Sequence, residues 1–267
     1  MLKELRKNPI KGVTGIFAAS FFIMCVFWII TGFRFNAKIC LRVDMAAFII
    51  LCMSYICYCL IFSIRQSARL EKLSEHAFNY GYDDEYYNMA MDILKKENGE
   101  QVTDSSRLIL AAAYAEGMRA EKCRAVLKEI DFIKLSNSEQ EQYFNIMLYN
   151  ALLDKDLPLA EEIYRRASFY FDRAILSRKS GDIIHTIGTL KYAQGKFPEA
   201  EKYFLDAKRF HGKRLKCECD LSLAQCCIQA GKTEEARKYM LKAAKNIGDR
   251  KQAAMLQTLI NKTEKAA

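Results

Sequence analysis

Gly188-x6-Gly195-Lys196-Phe197-Pro198-x-Ala200-x3-Phe204-x2-Ala207 is the stretch that decides the fold. Forty residues earlier the chain reads Leu148-x6-Lys155-Asp156-Leu157-Pro158-x-Ala160-x3-Tyr164-x2-Ala167. Thirty-six residues later Ala224, Gly231, Lys232, Ala236, Met240 and Ala243 stand at the same offsets. Two of the three prolines thus occupy one repeat position, just inside the start of a helix, where the missing N–H has no partner to lose. A small residue late in one helix and an alanine early in the next let two helices approach closely. The large apolar residue four further on fills the gap, and the next alanine again permits close packing. Fainter copies extend the pattern N-terminally. Tyr114, Cys123, Leu127 and Ile130 form one, and Tyr87, Ala90 and Leu94 another.

This pattern resembles the tetratricopeptide repeat (TPR) family, whose helix–turn–helix unit is about 34 residues long. The resemblance covers most of residues 70–247 and is clearest over 180–210. It implies an all-α fold: a TPR-like α-solenoid of about five helix pairs within 65–267. The stretch 250–265, with Ala254, Leu256 and Leu259 on an apolar side, reads as the C-terminal capping helix that closes such an array. Only 3 Pro and 12 Gly in 267 residues exclude an all-β fold, which needs a turn every 8–12 residues or so.

Ahead of the repeats lie two runs without a charged residue, 12–33 and 45–64. Each matches the roughly 20 apolar residues that carry a helix across a bilayer. The first is too long for a signal-peptide core, which spans about 7–15 residues, and cleavage after Ala18-Ala19-Ser20 would sever it. The expectation is an N-terminal two-helix transmembrane hairpin: a basic tail 1–11, spans 12–33 and 45–64, and a short outer loop 34–44. Lys3, Arg6, Lys7 and Lys11 before the hairpin and Arg65, Arg69 and Lys72 after it outnumber Arg34, Lys38 and Arg42 in the loop. By the positive-inside rule both termini and the repeat domain are then cytosolic, in a multi-pass protein of two spans. No ionisable residue interrupts either span, which argues against an ion or proton pathway.

Residues that carry chemistry are scattered. The three histidines, His76, His185 and His211, have no second ligand at metal spacing, and no phosphate loop, nucleophile elbow or zinc-protease motif is present. Cys217, Cys219, Cys226 and Cys227 fall on one helix. At 1.5 Å per residue they spread over about 14 Å, too far to meet one tetrahedral zinc, so they read as buried thiols. Neither a metal site, a cofactor nor a catalytic residue is expected, and the protein reads as a non-enzyme.

In the repeat register the first helix of each pair lines a concave groove. That places Asn145, Tyr149, Leu152, His185, Thr189, Tyr192, Gln225 and Gln229 on its surface, a set suited to a protein or peptide partner, with the tyrosines as anchors. TPR proteins that hold a chaperone's C-terminal carboxylate use Lys, Asn and Arg at these positions, and that clamp is not reproduced. Lys208, Arg209, Lys213, Arg214 and Lys216 form a basic cluster that offers a site to anionic lipid or an acidic protein surface. Nucleic acid is not expected, because Phe210 alone supplies no stacking platform. Charge is polarised along the array: 71–104 carries nine acidic and three basic residues, 196–251 fourteen basic and eight acidic. The expected function is a membrane-tethered scaffold or adaptor. The alternative is an accessory subunit of a membrane enzyme or of a transport or secretion complex, joined through its hairpin.

Overall fold

The computed structural model describes residues 37–98, 102–177, 180–210 and 212–265, together with Phe22 and Val26. The described residues are all-α, with twelve α-helices, one 3-10 turn and no strand. The chain divides into two compact units, 1–71 and 72–267.

Helix α1, Ala37–Asn79, is 43 residues long and therefore about 65 Å from end to end. No Gly or Pro interrupts it, so the expected outer loop 34–44 is helical from Ala37 onward. Within it Met45, Ile49, Ile50, Met53, Ile56, Leu60, Ile61 and Ile64 are 49–66% exposed, an unburied apolar side where a helix in water ordinarily turns polar groups outward. Among the described residues no helix is long and apolar enough to cross a membrane. The first uncharged run, apart from Phe22 and Val26, lies outside the described residues, as do several side chains of the second.

In the second unit α1 ends at Asn79, and α2 follows over Asp84–Asn98. Then come α3 (Asp104–Glu116) with α4 (Ala120–Lys128), and α5 (Asn137–Leu153) with α6 (Leu157–Arg166). A short α7 (Ser168–Ser177) precedes α8 (Gly181–Ala193) with α9 (Phe197–Ala207), α10 (Lys213–Gln229) with α11 (Thr233–Ala244), and finally α12 (Arg250–Lys265). The four pairs α3/α4, α5/α6, α8/α9 and α10/α11 pack as hairpins, and α3, α5, α8, α10 and α12 pack each against the next.

One turn builds all four hairpins. After each first helix a residue takes positive φ: Met118 at 56°, Lys155 at 59°, Gly195 at 74° and Gly231 at 70°. The N–H of the residue after it returns to the last helical turn in the same way each time. Arg119 donates to the Tyr114 carbonyl at 2.9 Å, Asp156 to Ala151 at 3.0 Å, Lys196 to Lys191 at 2.9 Å and Lys232 to Cys227 at 2.9 Å. This is the Schellman closure, which satisfies carbonyls that a helix end leaves open.

The repeat offsets are also the buried positions. Cys123, Ala160, Ala200 and Ala236 at the start of the second helices are fully buried, as are Ala111, Leu148 and Ala224 opposite them. At the equivalent Gly188 an added Cβ would lie 2.8 Å from the Phe204 ring, so this approach is closed to any side chain. Phe204, Met240 and Leu127 fill the space four residues on. In the faint N-terminal copies Tyr87, Ala90 and Leu94 are buried, but the small position is Ala111, three residues before Tyr114.

The structure departs from the expected five pairs. Residues 70–98 form the end of α1 and α2, joined through Gly81 at φ 85°, with Gly81 N–H closing on the Ala77 carbonyl rather than by the shared turn. The wider spacing between the second and third hairpins reflects the inserted α7. Helix α12, expected to cap the array, packs on α10 and α11, burying Leu256 and Leu259, whereas Ala254 faces solvent.

Candidate functional site

A cavity of about 470 Å³ is lined by residues of α3, α5, α8 and α10, joined by Tyr82, Tyr86 and Gly212. No second helix of a hairpin contributes to it. The first helices thus share an inner face, and polar side chains collect on it because their opposite faces are committed to the hairpin cores.

Of the eight groove residues read from the repeat register, Asn145, Tyr149 and His185 line this cavity. Leu152, Thr189, Tyr192, Gln225 and Gln229 lie outside it. Thr189 turns its hydroxyl to the His185 carbonyl at 3.0 Å. Tyr192 packs beside the Ala200, Phe204, Leu223 and Cys226 core, its ring 5.3 Å from Phe197, and Leu152 lies against the Leu148 cluster.

The register reading missed the charged members. Gln142, Asp182 and Glu218, all on the cavity wall, occupy one repeat position a turn before Asn145 and His185. The signal was available as polar residues three or four apart up each first helix, Gln142–Asn145–Tyr149 and Asp182–His185. What no local spacing could announce is Glu116 at the end of α3 meeting Lys251 at the start of α12. Lys251 Nζ lies 3.2 Å from the Glu116 carboxylate and donates to its backbone carbonyl at 3.1 Å. It also donates to the Tyr149 hydroxyl at 2.8 Å and stands 5.3 Å above that ring. The protein's own cation therefore already engages the tyrosine expected to be a free anchor.

Arg214, counted with the basic cluster, belongs to the same network. It pairs with Glu116 at 2.6 Å, Glu218 at 3.1 Å and Asp249 at 3.9 Å. Asp249 in turn accepts the Tyr82 hydroxyl at 3.2 Å, and Gln252 donates to Glu218 at 3.2 Å. The rest of the cluster disperses. Lys208 pairs with the buried Asp220, and Arg209 with Asp206, while Lys213 points to solvent. The run of basic residues in sequence is not one basic surface in space.

Electrostatics divide the carboxylates. Burial acts to raise the Glu116 carboxyl, but Lys251 and Arg214 outweigh it and hold it below the usual range. Burial and the Glu116 charge push Glu218 up, against Arg214 and Lys251. Asp182 is likewise raised by desolvation and by Glu116, against Arg214, although its side chain still meets solvent. Among the described residues no ion pair reaches this carboxylate. His185 is pushed down to about 4, first by burial, and is neutral at pH 7. Its Nε2 lies 3.1 Å from the Ser222 hydroxyl, so its ring is already held in place.

The helical thiols are separated by packing. Cys217 sits with Leu221 and Met240, Cys219 with Ile184 and Leu215, and Cys226 with Ala200 and Phe204. Burial drives the Cys217 and Cys226 thiols up to about 12, so both are protonated. Among the described residues His76, Asp83 and Glu85 stand close enough to share a cation. Asp83 Oδ1 is already engaged there, by His76 at 2.8 Å and by the Tyr86 N–H at the start of α2. No protein-family model, no curated protein and no solved structure matches the chain.

Proposed function

We propose that the protein is a membrane-tethered scaffold whose helical-repeat domain, a TPR-like solenoid, holds a protein or peptide partner on the inner face of its first helices. The observation that carries this reading is the cavity walled by four successive first helices and lined with tyrosines, amides and carboxylates. Such a surface offers stiff aromatic area with polar tips, the chemistry of interface hot spots. Spans 12–33 and 45–64 are proposed to anchor the chain with both termini cytosolic. The uncharged, exposed apolar side of α1 supports this, since lipid is a solvent in which that side costs nothing. Anchoring confines the repeats to one surface and raises their effective concentration for partners there.

The same apolar side favours a second reading, in which α1 docks into a larger intramembrane assembly as an accessory subunit. Crosslinking in native membranes separates the two. A photoreactive residue at 149, on the cavity wall, is expected to trap a soluble polypeptide. Neighbours trapped only from positions 45–64 would transfer the function to the hairpin.

A further inference from the structure

The inner-face network is not balanced. Glu116, Asp182 and Glu218 bring three carboxylates to the cavity wall and Asp249 adds a fourth to the network through Arg214, against the cations Arg214 and Lys251. Both cations are already shared: Lys251 with Glu116 and Tyr149, Arg214 with Glu116, Glu218 and Asp249. Among the described residues the Asp182 carboxylate has no ion-pair partner, and it is reachable from solvent.

An independent feature points to the same place. Asn145 lines the cavity and is only 7% exposed, yet its Oδ1 has no hydrogen-bond partner. Asn145 Nδ2 donates to Gln142 Oε1 at 3.5 Å, and Gln142 Nε2 donates to the Ser180 hydroxyl at 3.2 Å, which leaves the Asn145 acceptor unused. A buried acceptor without a donor costs free energy that a ligand donor recovers. Tyr82 and Tyr86 also line the wall, and the faces of such rings attract cations when partly desolvated.

Acceptors, surplus negative charge and rings together select against anions and for a charged donor. We infer that this cavity takes an organic cation, a guanidinium or alkylammonium group, held between the Asp182 carboxylate and the Asn145 carbonyl oxygen against the tyrosine rings. The inference deepens the scaffold reading and rests on it only for the source of the cation: a basic side chain of a bound peptide, or a free amine.

Isothermal titration of the purified full-length chain tests it with three probes: N-acetyl-arginine methylamide, agmatine and, as the anion, glutarate. The expected result is binding of one or both cations and none of glutarate. Asp182→Asn should weaken the cation at least tenfold, and Asn145→Leu several-fold, with the thermal unfolding of Asp182→Asn unchanged. Tighter binding of the arginine amide assigns the site to a peptide side chain; tighter binding of agmatine assigns it to a free amine. Glutarate binding as well as the cations, unaltered cation binding by Asp182→Asn, or no cation binding at all overturns the inference. The scaffold reading fails by a different result: partner crosslinks that map away from the first helices while agmatine still binds.

Discussion

At the scale of single residues the repeat is a constraint on one dihedral angle. Gly195 and Gly231 meet it without cost, but Met118 and Lys155 carry side chains in the left-handed region, where an L-residue loses roughly 1–2 kcal/mol. Lys155→Gly should therefore stabilise the protein, by up to about 1 kcal/mol once the freedom glycine gains in the unfolded chain is set against it. Lys155→Ala should do nothing comparable, and chemical denaturation of the three forms checks the ordering. Gly188→Ala should act oppositely. Its Cβ would press on the Phe204 ring and on Tyr203, an overpacking that typically costs 1–3 kcal/mol or so. These positions also mark how far the sequence could be read. Two of the four turns announced themselves as glycine, and Lys155 was located by its equivalence to them. Met118 carries no signature of its φ, so the first hairpin was visible only through Cys123, Leu127 and Ile130.

At the scale of elements, the neighbouring helices α8 and α10 both turn to the cavity groups whose protonation shifts run in contrary senses. His185 is depressed from 6.5 to about 4, so its contribution to stability is complete above pH 6.5 and is lost as pH falls toward 4. Glu218 is raised from 4.5 to about 7, so its contribution is complete below 4.5 and is lost as pH rises through 7. Glu116, Asp182, Asp249, Arg214 and Lys251 face the pair and set the balance. Between pH 4.5 and 6.5 the two slopes oppose, and the melting temperature of the wild type should be nearly flat. Glu218→Gln should leave stability rising with pH over that window, and His185→Gln should leave it falling, each by on the order of 1 kcal/mol. Thermal unfolding at pH 5 and pH 6.5 reads both, and slopes of the same sign in the two variants would refute the assignment. The repeat register located His185 because it equates with Asn145. It passed over Glu218 because a glutamate in the first turns of an exposed helix looks like any solvated charge until α3 and α12 are packed against it.

At the scale of the whole repeat domain, charge polarity along the chain is partly consumed within it. Arg214 and Lys251 of the basic stretch pair with Glu116, just beyond the acidic one, and Tyr82 of the acidic stretch donates to Asp249 of the basic one. A stack of repeats in which each contacts only its neighbours confines a lesion to the adjacent repeat. Here the start of α12 touches the end of α3, 135 residues away, so the array is bridged across its inner face. Lys251→Met removes one side of that bridge without disturbing Leu256 or Leu259, which hold α12 to α10 and α11. Both charges are about three-quarters buried. The variant should lose on the order of 1–2 kcal/mol, since Glu116 retains Arg214 while Tyr149 loses its donor. The location of the loss decides the matter. Hydrogen exchange should quicken at 110–116 in α3 and near Tyr149 in α5 as well as at the start of α12. Paired with Glu116→Gln, the double variant should cost less than the sum of the two. Exchange that quickens only in α10, α11 and α12, with additive costs, would mean that the domain behaves as an open stack and that the bridge adds nothing to its stability.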